Sequence, residues 1–325
     1  RAMEVGSPAY KIEAAKMLAR VNDPRAGTPL VQLIKDENEA VIKSAVEALE
    51  VLAGIVEEST AKELVELLKD ETCRPPVTAL LGVIPTSIGP LTAMLRDKEE
   101  SARVTAAGIL DHLMDPRSAD ALVDSMGDAA IRDSAVATLK KLSAIRARID
   151  EIMDELRDVE ESELREGARQ EAVSKIHPIG RPSVEILIEY LEDDDWVVRE
   201  AAADVLGKIG DVRAVDPLID RLKGDNDTGV KELATKSLGL IGDSRPVELL
   251  IDLIPIKPLR ILAVEALEKM KDVEALRPHV ELWKQLKTSK DGLVAYNSGI
   301  ILDKLEAAAA QLDEELWAGR ENANE

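Results

Sequence analysis

Few residues in this 325-residue chain are of types that do covalent or metal chemistry, and their spacing argues against such chemistry. The histidines are His112, His177 and His279. None stands in a His-x-x-x-His or His-Glu-x-x-His frame, which would set two imidazoles on one helix face around a metal. Cys73 is the only cysteine, so neither an intramolecular disulfide nor a single-chain thiolate cluster can form. It precedes Arg74 at the expected mouth of a helix, a setting in which a thiol can be activated. The acidic runs 158–163 and 192–195 lack EF-hand spacing and its turn glycine, and read as solvated loops. There is no Gly-x-x-x-x-Gly-Lys-Ser/Thr loop for phosphates, no Gly-x-Ser-x-Gly elbow and no Cys-x-x-Cys. The expectation is a non-enzyme with no catalytic, cofactor-binding or metal-binding residues and no cofactor.

The regular constellation is of another kind. Basic residues recur at about the same point of a repeating pattern, among them Arg74, Arg103, Arg132, Arg169, Arg199, Lys231 and Arg260. Asp36, Asp70, Asp97, Asp128, Asp194 and Asp227 each lie four to six residues before such a point. The pattern has two readings: a structural ladder of acid–base pairs between successive units, or an arginine row that grips an acidic ligand. Regular spacing over the whole chain favours the ladder, because stacking needs many copies and a single ligand does not.

The elements that position this row are found by register. In Arg199-Glu-Ala-Ala-Ala-Asp-Val-Leu-Gly-Lys-Ile-Gly-Asp-Val-Arg213, with Arg199 as position x, Ala202, Ala203 and Leu206 fall at x+3, x+4 and x+7. That is one stripe of an α-helix. The same stripe follows positions 11, 42, 74, 103, 132, 169, 231, 260 and, more weakly, 295. Intervals run from 29 to 37 residues, and x is Lys or Arg in eight of the ten copies. At x+12 stand Asp23, Asp115, Asp211, Asp243 and Asp272, four of them followed two residues on by Arg25, Arg117, Arg213 or Arg245. Asp beside Pro or Gly is turn chemistry, so the helix ends near x+11 and the chain reverses. Pro29, Pro90, Pro217 and Pro246 lie 13 or 14 residues before their x and open apolar runs, as suits a helix's first turn. Each unit is therefore helix A, an acidic turn, helix B and a Gly/Asp/Pro turn. A pair this short cannot bury its apolar faces alone, whereas about ten stacked pairs can.

Composition agrees. Phe is absent, with three Trp and three Tyr, so Ala, Leu, Ile and Val must carry the burial, which suits thin layers of closely packed helices. A net charge of -21 repels a phosphate backbone, and scattered aromatics offer no base-stacking platform, so nucleic acid is not an expected partner. The acidity favours a protein partner of basic or mixed charge. No apolar run reaches the ~18 residues of a membrane span, so membrane insertion is not expected. One reduced cysteine and no visible signal peptide make a cytoplasmic protein, monomeric on its own, the expectation.

The units resemble HEAT repeats, and most closely the phycobilisome-lyase-like subclass. The stretch Asp194-Asp-Trp-Val-Val-Arg-Glu-Ala-Ala-Ala-Asp-Val-Leu-Gly-Lys-Ile-Gly-Asp211 is similar to that subclass's consensus. The resemblance covers about residues 8–305. It implies an all-α, right-handed α-α superhelix of the HEAT/armadillo type, with helix B lining a concave face. Positions x+1, x+2 and x+5 of helix B would then line a protein-binding groove, among them Lys43, Glu47, Thr105, Asp133, Glu200, Asp204, Lys236 and Glu265. The implied function is a non-catalytic scaffold or adaptor. The alternative it raises is a bilin-lyase-like cofactor attachment enzyme or cofactor chaperone. The HEAT-like deoxyhypusine hydroxylases carry His-Glu pairs for a di-iron site, and no histidine here is followed by Glu.

Irregularities mark the expected organisation. Residues 1–318 form the solenoid and 319–325 a disordered tail. The 144–168 stretch, long, helical and charged, is a possible soft joint between repeats 1–5 and 6–10. The last unit, 275–318, with Asn297, Ser298 and the alanine run 307–310, reads as a cap. Arg74-Pro75-Pro76 with Pro85 shortens helix B of the third unit, and Pro255 and Pro258 bracket a turn in the ninth. Trp196 is expected to pack against the next unit, while Trp283 and Trp317 are candidates for an interaction surface.

Overall fold

The structure is a computed structural model that describes residues 6–21, 23–159 and 162–322, the side chains of 162–163 and 311–322 aside. Eighteen α-helices and no strands are found among the described residues. Contacts divide the chain into two units, residues 1–148 and 149–325.

In the first unit the helix-B row is α1 (Pro8–Val21), α3 (Glu39–Val51), α5 (Arg74–Leu81), α7 (Glu100–Leu113) and the first part of α9 (Arg132–Arg157). The helix-A row is α2 (Gly27–Ile34), α4 (Glu58–Glu66), α6 (Ile88–Met94) and α8 (Ala119–Ser125). In the second unit helix B is α10 (Ser162–Ile176), α12 (Trp196–Ile209), α14 (Thr228–Ile241), α16 (Arg260–Glu268) and α18 (Gly292–Asn322). Helix A is α11 (Val184–Tyr190), α13 (Val215–Gly224), α15 (Val247–Leu253) and α17 (Val280–Leu286). Helix A packs on its own helix B, as α2 on α3 and α13 on α14, and each row stacks on itself, as α1 on α3, α10 on α12, α12 on α14 and α14 on α16. Each unit is thus a solenoid of hairpins in sequence order.

The apolar stripe is the seam between hairpins. Ala106, Ala107, Leu110, Ala202, Ala203, Leu206, Ala263, Val264 and Leu267 are all buried. Small residues at x+8 let consecutive B helices approach closely. A Cβ added at Gly207 would lie 2.3 Å from Ser237 Oγ, and one at Gly239 only 2.6 Å from Ala266 Cα. Ser237 Oγ, 2.7 Å from the Ala203 carbonyl, donates across the same seam.

Turn chemistry sets the boundaries. The backbone N–H two residues on donates to the carboxylate of Asp23, Asp115, Asp211, Asp243 and Asp272 in turn. Helix B ends at x+11 in the left-handed conformation at Gly210 (φ 73°) and Gly242 (φ 74°), whose N–H groups bond back to Leu206 and Leu238. Met114, at the same register, takes φ 46° although it carries a Cβ. Asn38, Asp195 and Asp227 cap the start of α3, α12 and α14. Helix α5 is short, opened by Pro75 and Pro76 and followed by Pro85, and Pro255 and Pro258 fall between α15 and α16.

Two features differ from the periodic expectation. Helix α9 runs unbroken for 26 residues, and the boundary between the units falls inside it, after Arg148. Its last part buries Ile149, Ile152, Met153 and Leu156, and Asp150 accepts a 2.8 Å hydrogen bond from Tyr190 of α11. Residues 149–157 therefore supply helix A of the sixth repeat, fused to helix B of the fifth. At the other end α18 continues to Asn322, so residues 319–322, expected to begin an unstructured tail, extend that helix; 323–325 lie outside the described residues.

Candidate functional site

The basic row works as a ladder inside each unit. Guanidinium groups of Arg74, Arg103, Arg132, Arg199 and Arg260 each donate to the carbonyl six residues earlier, at 2.7–3.0 Å. Those carbonyls belong to the turn that ends helix A, whose last C=O groups have no partner within the helix and concentrate its negative dipole end. Several side chains of the row also reach the next repeat. Lys11 Nζ lies 2.6 Å from Asp36, Arg103 Nε 2.5 Å from Asp128, and Arg199 holds Asp225 through two 2.8 Å contacts. The Lys11 ammonium and the Asn38 N–H hold the Asp36 carboxyl below the usual range. Burial works against ionised Asp225, but the Arg199 fork outweighs it and keeps that carboxyl low too. Lys231 sits half-buried at the equivalent position.

A second ladder joins the B-to-A turns. Asp211 accepts from the Arg213 N–H and guanidinium, and from Arg181 Nε at 3.0 Å. Although burial opposes it, this cation pair brings the Asp211 pKa down to about 2. Arg213 also reaches Glu185, and Arg245 reaches Asp216 and the Val212 carbonyl, each one repeat back.

Arg169 departs from the row. Arg165, four residues earlier, makes the ladder contacts, to the Val159 carbonyl at 3.0 Å and to Asp195 at 2.8 and 3.1 Å. Arg169 therefore occupies x+4, a position held by Ala, Val, Thr or Gly in the other copies, and is buried there. Its guanidinium donates to Glu166 (2.7 and 3.1 Å) and Asp204 (3.0 Å), and Glu200 lies 3.4 Å from Nε. Lys208 Nζ is 3.1 Å from Asp204. Glu200 and Asp204, expected to line an open groove, are instead only 7 % and 6 % exposed. They face the intruding arginine, and Glu200 presses against Gly229, where a Cβ would lie 1.9 Å from its Oε1. Burial pushes the Glu200 pKa up to about 7, Arg169 opposing and Asp227, Glu166 and Glu232 adding to the rise.

The other groove positions are spread over several helices. Lys43 and Glu47 are exposed on α3 and form a loose i,i+4 pair at 3.8 Å. Asp133 and Lys236 are exposed on α9 and α14, and Thr105 and Glu265 are half-buried. Trp196 is 40 % exposed, with the Arg165 guanidinium 5.6 Å from its ring centroid. Trp283 is not a surface residue: it is fully buried, and its indole N–H donates to the Leu276 carbonyl. The Trp317 side chain lies outside the described residues. Cys73 is buried against the Ile34 carbonyl rather than offered to solvent. His112 and His177 are exposed, and His279 meets Glu248 at 2.9 Å. Among the described residues no group of three or more His, Cys, Asp or Glu could hold a metal ion, and no single helix is long and apolar enough to cross a membrane.

Hairpins stacked in sequence order on an Ala/Leu seam, tied by repeated Asp and Arg pairs, define an all-α repeat protein. The chain belongs to the HEAT-repeat family: a sequence model described as "HEAT repeats" matches residues 2–81 and 149–239, just over half of the chain. The match is to HEAT repeats at large and does not single out the phycobilisome-lyase-like subclass. No curated protein matches the chain. Among solved structures it is similar to an engineered protein (20% identity, 94% of this chain and 97% of that one, TM-score 0.37). It is also similar to human deoxyhypusine hydroxylase in complex with glycerol (16%, 90% and 98%, TM-score 0.31). A third is the karyopherin Kap121p bound to the extreme C-terminus of the protein phosphatase Cdc14p (14%, 85% and 37%, TM-score 0.37).

Proposed function

We propose that this protein is a non-catalytic scaffold that binds another protein through the exposed side chains of its helix-B row. The observation that carries the reading is the division of labour within helix B. In most copies the x+3, x+4 and x+7 side chains are consumed by the seam and a basic residue at x by the ladder, whereas Lys43, Glu47, Asp133 and Lys236 stand free of both in solvent. HEAT repeats in general serve as protein-interaction scaffolds. The exposed set is mixed in sign within a chain of net charge -21, which suits a partner of basic or mixed charge. The protein is a cytoplasmic monomer when unbound in this reading.

The test is affinity capture from the native source, with wild type beside a Lys43→Glu, Asp133→Lys, Lys236→Glu variant. A stoichiometric protein recovered by wild type and lost by the variant is expected. Equal recovery by both moves the interface off this row. A purified protein with a covalently attached chromophore, and no protein partner, overturns the scaffold reading in favour of cofactor attachment.

A further inference from the structure

The α10, α12 and α14 seam carries charge where the other repeats carry methyl groups. Arg169 projects from α10 at a seam position and divides its donors between Glu166 and Asp204. Glu200, nine-tenths buried, receives no hydrogen bond from it and only the 3.4 Å ion contact at Nε. The groups facing Glu200 come from every helix packed on it: Glu166 and Arg169 from α10, Asp204 from its own helix, and Asp227 and Glu232 from the start of α14. With Lys208 turned to Asp204, Arg169 is, among the described residues, the one cation paired with this carboxyl. Three carboxylates against the Arg169 guanidinium and the Lys208 ammonium, in a site closed by Gly229, leave one negative charge that desolvation makes costly.

We propose that Glu200 is a proton-linked latch: protonated, it lets α10, α12 and α14 close on one another, and ionised, it loosens that seam. The sign follows from linkage. Burial and the neighbouring acids raise the folded-state pKa to about 7 from the ordinary 4.5, so between these values the folded seam binds the proton and the unfolded chain does not. The stabilisation is complete below about pH 4.5 and is lost as pH rises through 7. Between those two values the opening constant of the seam rises by up to about tenfold per pH unit, and it levels off above about 7. A latch of this kind changes the pitch between neighbouring B helices, and so the spacing of the side chains they display.

The experiment uses the full chain. Hydrogen–deuterium exchange, corrected for intrinsic rates, is compared at pH 6 and pH 8 for wild type and Glu200→Gln. Wild type is expected to exchange faster at pH 8 in α12 and α14, and the variant to show no such difference. Every other pH-sensitive group is common to both proteins, so its effect cancels in the comparison. The same pH difference in both proteins, or none in wild type, overturns the latch. A second reading needs no variant: in wild type labelled at the glutamate carboxyl carbon, one resonance is expected to titrate near pH 7. If every glutamate titrates below about pH 5.5, Glu200 is not the latch.

Discussion

At the scale of single residues, one motif placed in different surroundings shows what burial does to an ion pair. Asp23 with Arg25 and Asp211 with Arg213 share the same turn geometry. The Asp23 side chain is 27 % exposed and the Asp211 side chain 1 %. Removing one partner of a buried pair strands the other charge, a loss of about 3–5 kcal/mol, whereas an exposed partner is rescued by water. Asp211→Asn should therefore lower the thermal midpoint by several degrees, and Asp23→Asn by much less, in parallel melts at pH 7. Equal shifts would mean that the turn hydrogen bond, common to both, carries the whole effect. The basic row was legible in the sequence because a basic residue recurred at one register in most of the repeats. Arg169 was misplaced because Arg165 lies one helical turn before it and Ala172, Val173 and Ile176 fit the apolar stripe from either start. Interval regularity held the missing signal: taking Arg165 changes intervals of 37 and 30 into 33 and 34. No spacing rule could have announced the raised Glu200 pKa, which depends on what α10 and α14 bring to it.

At the scale of the element, helix limits followed from Asp, Gly and Pro, since turn chemistry is local. The run-on of α9 did not, because Ile149, Ile152, Met153 and Leu156 form a second stripe with no turn residue to separate it from the first. Two substitutions test the local rules. Met114 holds φ 46° where Gly210 and Gly242 stand in sister repeats, a conformation that costs a residue with a Cβ about 1 kcal/mol. Met114→Gly should raise stability by roughly that amount in urea denaturation, less whatever packing its half-buried side chain supplies. A fall of more than about 1 kcal/mol would show that the side chain outweighs the strain. Gly239→Ala pulls the other way. Its helix propensity improves by about 1 kcal/mol, but the new methyl meets backbone, 2.6 Å from Ala266 Cα, and overpacking costs about 1–3 kcal/mol. Net destabilisation is expected, with the loss of protection greatest in α14 and α16.

At the scale of the whole molecule the charges act in two pH windows of opposite sign. Asp36, Asp128, Asp193, Asp211 and Asp225 all have lowered pKa values. Their contribution is present above the unfolded value near 3.8 and is lost as pH falls through the folded values, about 2 for Asp211. Glu200 acts in reverse, withdrawing at most about 3 kcal/mol as pH rises from about 4.5 past 7. Self-repulsion of a chain with 63 acidic and 42 basic residues also eases on mild acidification. Thermal stability should therefore peak on the acid side of neutrality, between about pH 4.5 and 6, and fall steeply below pH 4. Glu200→Gln separates the two causes of the neutral slope. The variant keeps the general repulsion, which 0.5 M salt screens, and loses the local proton, which salt reaches poorly in a buried site. A neutral slope that salt abolishes entirely would place the pH response on the surface charge and not in the seam, and a wild-type profile that climbs steadily to pH 8 would overturn both causes.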